Sequence, residues 1–185
     1  MQENNISTTG FWEASTAHLH HIHSLELSQW LCDFLDKNTR VVDFGCGLGF
    51  YLSELQKSGF TNLVGYEGMI PEKQLFENII SHDLTKPIKE SGNVICLEVG
   101  EHIPAEYAGV FIDNLCNTCT HYLILSWAVR GQPGRGHVNC LDNHEVVELI
   151  EKKGLIYSPK KTKAARSVIN ENTYWFKDTL LIFEK

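Results

Sequence analysis

Apolar positions in this chain recur in two alternating rhythms. Leu27, Trp30, Leu31, Phe34 and Leu35 are spaced as one side of a helix, which predicts a helix over about 18–36 with a single apolar stripe. A short apolar run then predicts a strand at 40–44, and after three closely spaced glycines Tyr51, Leu52 and Leu55 return to helical spacing, with Gly59 as a stop. Further strands are predicted at about 62–66, at Ile79–Asp83, at Val94–Val99 and at Tyr122–Trp127. A short helix over about 71–78 is expected between the second and third. Pro104 suits the first turn of a helix carrying Tyr107, Phe111 and Leu115, because no donor is needed there.

The stretch 128–139 holds three glycines and a proline, which predicts a long irregular loop. Asp142 followed by Glu145 reads as a capping box for a helix reaching Lys153, with Gly154 at its end. Strands near 155–157 and 179–183 close the pattern. Strand and helix signals thus alternate about five times, and parallel strands joined by right-handed crossovers give a layered α/β sandwich.

Length and composition narrow the picture. The 185 residues, 43% of them hydrophobic, suffice for one sizeable core. Sixteen basic against twenty-three acidic residues leave a net charge of -7, which disfavours an electrostatic grip on nucleic acid. Lys160, Lys161, Lys163 and Arg166 lie close together and read as a solvated loop or helix face. Six cysteines are spread through the predicted elements, with one CxxC, Cys116 to Cys119, placed in an apparent helix. That usage suits a reduced, cytoplasmic protein better than a disulfide scaffold. The start lacks a signal-peptide pattern, and no segment approaches the length of a membrane span, so no membrane partner is expected.

The chemistry concentrates in Val41-Val42-Asp43-Phe44-Gly45-Cys46-Gly47-Leu48-Gly49. Bare amides and a helix N-terminus follow a strand there, with Asp43 at the mouth of the turn. A dinucleotide fingerprint needs its third glycine at position 50, where this chain has Phe50. The stretch instead resembles the first motif of the class I S-adenosylmethionine-dependent methyltransferases, two hydrophobic residues and then Asp/Glu-x-Gly-x-Gly-x-Gly, and Asp43, Gly45, Gly47 and Gly49 match each fixed place. The resemblance covers roughly residues 38–127 strongly and the rest weakly. It implies a Rossmann-like three-layer sandwich with a seven-stranded, mostly parallel sheet whose last strand is antiparallel. Residues 1–185 are then one methyltransferase domain, with 1–36 as an N-terminal extension and substrate-covering helix.

The same resemblance assigns roles along the strand exits, where open α/β sheets collect ligands. Asp43, Gly45, Cys46, Gly47 and Gly49 would cradle S-adenosyl-L-methionine, and Glu67, with Gly68 and Met69 behind it, would hold the ribose and face adenine. A carboxylate suits the ribose because it accepts charge-strengthened hydrogen bonds from both hydroxyls. Asp83 and Leu84 are carried over to the adenine edge, and Glu98 to the methionine end. Glu98-Val99-Gly100-Glu101-His102-Ile103 resembles the E-V-x-E-H-I segment of many small-molecule methyltransferases. The D/N-P-P-Y/F pattern of many adenine and glutamine N-methyltransferases is missing.

The expected activity is methyl transfer to an oxygen or nitrogen of a small molecule. Methylation of protein or nucleic acid, or a silent cofactor-binding partner protein, are the alternatives. A proton-bearing acceptor needs a base, and His137 in the long loop is preferred over His102. Trp12, His20, His23, Trp127, Arg130 and Asn139 are expected around the acceptor, with Phe11 able to pack against the domain or cover a pocket. His18, His20, His21 and His23 invite a metal reading, but His20 and His23 have no securely identified third ligand, and no metal is expected.

Overall fold

In the computed structural model, residues 7–11 and 22–185 are described. The expected covering helix starts later than its periodicity suggests: α1 spans Leu25–Phe34, and residues 22–24 are not helical. Ser24 sets the start, because its Oγ accepts from the Leu27 amide at 3.2 Å while its own N–H donates to Tyr51 Oη at 3.0 Å. Trp12, His18, His20 and His21 lie outside the described residues.

The strands are β1 (Val41–Phe44), β2 (Leu63–Glu67), β3 (Ile79–Ser81), β4 (Gly92–Leu97), β5 (Cys119–Ser126), β6 (Ile156–Tyr157) and β7 (Leu180–Glu184). They form one seven-stranded sheet in the order β3-β2-β1-β4-β5-β7-β6, in which β7 runs antiparallel to both its neighbours and the other pairs are parallel. The expected Rossmann-like sandwich is therefore present. Its helices are α1, α2 (Phe50–Lys57), α3 (Ala108–Thr118), α4 (Asn143–Glu151), α5 (Pro159–Ser167) and the short α6 (Phe176–Thr179).

Strand side chains alternate between two cores, as the period of two requires. Val42, Val64, Val94, Leu123 and Phe183 pack with Phe111 and Leu115 of α3 and Val146 and Ile150 of α4. Val41, Leu63, Ile95, Ile124 and Ile182 pack on the opposite face with Leu27 and Leu31 of α1 and Leu52 and Leu55 of α2. Leu52 has no exposed surface, so Leu52→Ala would cost about 2–5 kcal/mol in lost burial and cavity.

Two local expectations are corrected, and a third is narrowed from a loop or helix face to a helix. Residues 71–78 make bends rather than a helix, because their polar groups bond outward: the Leu75 amide donates to Leu48 O, and Asn78 Nδ2 donates to Leu63 O, both at 2.8 Å. Cys119 opens β5 instead of lying in a helix. The basic run 160–166 is α5, opened by Pro159 and pinned where Arg166 donates to the carbonyls of Leu180 and Asp178 at 2.8 and 2.7 Å. Among the described residues, no helix is long and apolar enough to cross a membrane.

Candidate active site

The chain order reverses between β1 and β4, whose following loops diverge to opposite sides of the sheet and leave a crevice beyond the strand ends. A cavity of about 390 Å³ occupies this position, within the size range of small-molecule sites. Its wall includes the loops after β1, β2 and β4, the stretch 132–137 and the aromatic run 174–176.

The loop after β1 is shaped by backbone that side chains would spoil. Gly45 has φ +74°, and a Cβ there would sit 2.4 Å from Val99 Cγ2. Gly49 (φ +79°) precedes α2, and a Cβ on it would meet Phe76 Cβ at 2.7 Å. Glu67 closes the far side: Gly47 N–H donates to Oε2 and Gly68 N–H to Oε1, each at 2.9 Å. Burial raises the Glu67 pKa while these two amides oppose the rise. Asp43, buried behind the loop, is pushed up to about 8 by burial and then by the negative charge of Glu67, and its Oδ2 has no hydrogen-bond partner.

Farther along the wall, Glu98 follows β4 in the left-handed region (φ +54°), an unfavourable conformation for a residue with a Cβ. Its carboxylate accepts from Gln132 Nε2 at 3.0 Å and Thr179 Oγ1 at 3.2 Å. Burial raises its pKa against those bonds. Glu101 sits in the next turn with no exposed surface, and neither carboxylate oxygen has a hydrogen-bond partner. Burial, then the charge of Glu98, holds the Glu101 carboxyl well above the usual range, against the weaker pull of the Glu101 and Ala128 backbone amides.

The stretch 136–139 is tied to that turn. Val138 and Asn139 donate their amides to Glu101 O at 2.9 and 3.0 Å, and His102 Nδ1 lies 3.1 Å from Gly136 O. His137 Nδ1 lies 3.2 Å from Gln132 O, and its ring stands edge-on to His102 with centroids 5.2 Å apart. Burial lowers the His137 pKa, opposed by the Gln132 carbonyl.

Of the residues expected at the cofactor, Asp43, Gly45, Cys46, Gly47, Glu67, Gly68, Asp83, Leu84 and Glu98 line this cavity. Gly49 and Met69 do not: Gly49 supports the helix start, and Met69 is 39% exposed. Asp83 uses Oδ1 to accept from Thr85 N and Oγ1 at 2.9 and 2.7 Å. His137, His102 and His23 line it too, as does Phe11, which rests against Gly68. His23 stacks on Phe50 at 3.4 Å between ring centroids.

Trp127, Arg130 and Asn139 lie off the cavity, against expectation. Trp127 is buried against Phe111 and Gly100 and donates from Nε1 to Asn139 O at 2.6 Å, so both belong to the packing behind the wall. Arg130 points to the surface, where it pairs with Glu145 at 2.6 Å. The sequence reading missed Gln132, Arg135 and the run Tyr174-Trp175-Phe176 as lining residues. Three consecutive aromatics just before the final strand were the available signal.

No family model matches the chain, and no curated protein sequence is significantly similar to it. Solved structures do share its fold. Magnesium protoporphyrin IX methyltransferase (ChlM) from Synechocystis PCC 6803, solved with S-adenosylhomocysteine, aligns with TM-score 0.61 at 18% identity, over 92% of this chain and 81% of that one. The 1,6-didemethyltoxoflavin-N1-methyltransferase of Burkholderia thailandensis, solved with that compound and S-adenosylhomocysteine, gives 0.61 at 13% identity over 87% and 77%. The sugar N-methyltransferase KedS8 from Streptoalloteichus sp ATCC 53650 gives 0.62 at 10% identity over 87% of each chain. The fold is thus the Rossmann-like fold of S-adenosylmethionine-dependent methyltransferases.

Proposed function

We propose that this protein binds S-adenosyl-L-methionine and transfers its methyl group to an oxygen or nitrogen of a small molecule. The reading rests on one observation: Gly47 and Glu67, twenty residues apart, meet at 2.9 Å on the wall of a single cavity. The cavity's charge supports it. Asp43, Glu67, Asp83, Glu98 and Glu101 all line it, and Arg135 is the only lysine or arginine among the described lining residues. A pyrophosphate would find five carboxyl groups and a single arginine there, whereas a ligand carrying a sulfonium and an ammonium would favour the charged form of those carboxyls, Asp43 among them, and be held by it.

The residues fit that ligand. Asp43 Oδ2 is a buried acceptor without a donor, and Glu67 can exchange its amide contacts for ribose hydroxyls. Glu98, braced by Gln132 and Thr179, would face the methionine end. When bound, S-adenosylmethionine supplies a methyl group on a positively charged sulfur. The chain's task is then to hold the acceptor in line and keep water out. Phe11, Tyr174, Trp175 and Phe176 supply the apolar cover, and His137 and His102 are within reach to orient the acceptor and manage its proton. Relatives of the fold that carry a porphyrin, toxoflavin or sugar name support an acceptor of metabolite size.

Two measurements test this. Calorimetry with S-adenosylhomocysteine should give saturable one-to-one binding. Methyl-labelled cofactor added with cell extract, then fractionated, should leave the label among small molecules. Label in protein or nucleic acid would reject the acceptor class, and binding without product across extracts would favour a silent partner protein.

A further inference from the structure

The acceptor end of the cavity contains a group that the methyl-transfer reading leaves unexplained. Glu101 is completely buried, its two carboxylate oxygens have no hydrogen-bond partner among the described residues, and His137 Nε2 lies 4.0 Å from Oε1. A carboxyl in that setting gives up its proton only when a compensating cation takes the proton's place, since the desolvation cost of an unpaired charge is large. His102 and His137 are beside it, and one ligating atom from each of the three residues lies within 4.8 Å of the others. We infer that Glu101, His102 and His137 form a binding site for a divalent transition-metal cation on the wall of the cavity.

Three features beyond proximity support this. First, two nitrogen donors and one oxygen donor make a set suited to zinc, manganese, iron or cobalt, and one that leaves coordination positions open. Second, both rings are held as ligating histidines usually are. His102 Nδ1 faces Gly136 O at 3.1 Å and His137 Nδ1 faces Gln132 O at 3.2 Å. The tautomer that donates to these carbonyls puts the lone pair on Nε2, the atom His137 presents to Glu101. Third, the two segments carrying the ligands are already fastened together by the Val138 and Asn139 amides on Glu101 O. A cation about 2.0–2.2 Å from each donor would draw them to roughly 3–3.5 Å apart, a small rotation of side chains already converging.

The open positions face the cavity, so an acceptor hydroxyl or carbonyl can complete the coordination sphere. This last step rests on the proposed function, and it narrows the acceptor to an oxygen-bearing molecule able to bind a metal. The histidines would then act on the acceptor through the cation.

The test uses untagged, metal-free protein titrated with Co²⁺, followed by visible absorption, and with Zn²⁺, followed by calorimetry. One cation per chain is expected, with d–d bands of nitrogen and oxygen ligation. Glu101→Gln and His137→Ala should each weaken binding at least tenfold while keeping S-adenosylhomocysteine affinity within about threefold, which also reports that they fold. The double variant His20→Ala/His23→Ala separates the N-terminal histidines and should bind Co²⁺ unchanged. Absence of saturable binding, binding indifferent to Glu101→Gln and His137→Ala, or binding lost with His20 and His23 would each overturn the inference. Cation binding without any uptake of S-adenosylhomocysteine would leave the metal site standing and remove the methyl-transfer reading instead.

Discussion

Two buried glutamates on the same cavity wall are treated in opposite ways. Glu67 has both oxygens engaged by the amides of Gly47 and Gly68, whereas Glu101 has neither oxygen engaged. Fixed backbone dipoles already favour the charged form of Glu67, so that end of the cavity is prepared for neutral hydroxyls that can take the amides' places. At the other end, no donor among the described residues comes into hydrogen-bond geometry with the carboxylate, and the nearby backbone amides of Glu101 and Ala128 oppose its raised pKa only in part. A buried acceptor with no donor is costly, and the difference marks Glu101 as a group completed by something that arrives.

The strongest way to break this comparison is at His137. His137→Ala should lower turnover by about a hundredfold or more while leaving S-adenosylhomocysteine affinity nearly unchanged. Retained turnover on the true acceptor would take the histidine out of the reaction. Next in size, Glu67→Ala should weaken S-adenosylhomocysteine by roughly 30- to 100-fold, about 2–3 kcal/mol, because charge-assisted hydrogen bonds are lost with no replacement. Calorimetry showing equal losses for Glu67→Ala and Glu101→Gln would erase the distinction between the two ends.

A smaller effect is expected from Gly45→Ala, which combines a positive φ with a contact 2.4 Å from Val99 Cγ2. Urea unfolding should show a loss of about 1–3 kcal/mol. An unchanged midpoint would mean the loop after β1 tolerates a side chain and its glycines serve no geometric need.

The subtlest effect is a pH dependence at Asp43. Its carboxyl is raised from 3.8 to about 8 in the folded protein. Between those values the folded form keeps a proton that the unfolded chain has released, so stability falls as pH rises from about 4 to about 8. Glu67, Glu98 and Glu101 are shifted in the same direction and add to the slope. Ligand-free Asp43→Asn should therefore lose less stability than the parent between pH 5 and pH 8. Parallel urea midpoints for the two proteins across that range would show that the proton is not held at Asp43.

Much of this molecule was legible because its signals are local. The alternation of Val41 and Val42 between two cores, the capping box of Asp142 and Glu145, and the glycines after β1 each depend on neighbours a few residues away. Their conformations follow from sterics and hydrogen bonding that the chain carries with it. The resemblance supplied the seven-stranded order, and Glu67 fell in place because strand ends define the crevice.

The readings that failed required knowledge of what packs against what. Trp127 and Arg130 flank the long loop in sequence, yet one is buried against Phe111 and the other is drawn outward by Glu145. Trp175 lines the cavity although nearly fifty residues separate it from Trp127, because β7 returns beside β5 and delivers the preceding turn to the strand ends. The sequence by itself determined the layered sheet and the glycine turn after its first strand, since both are built from short-range periodicity and backbone freedom. Only the tertiary structure decided that Glu101 would be buried without a donor and faced by His137 from another segment, because side-chain hydration and charge pairing depend on contacts between residues far apart in the chain.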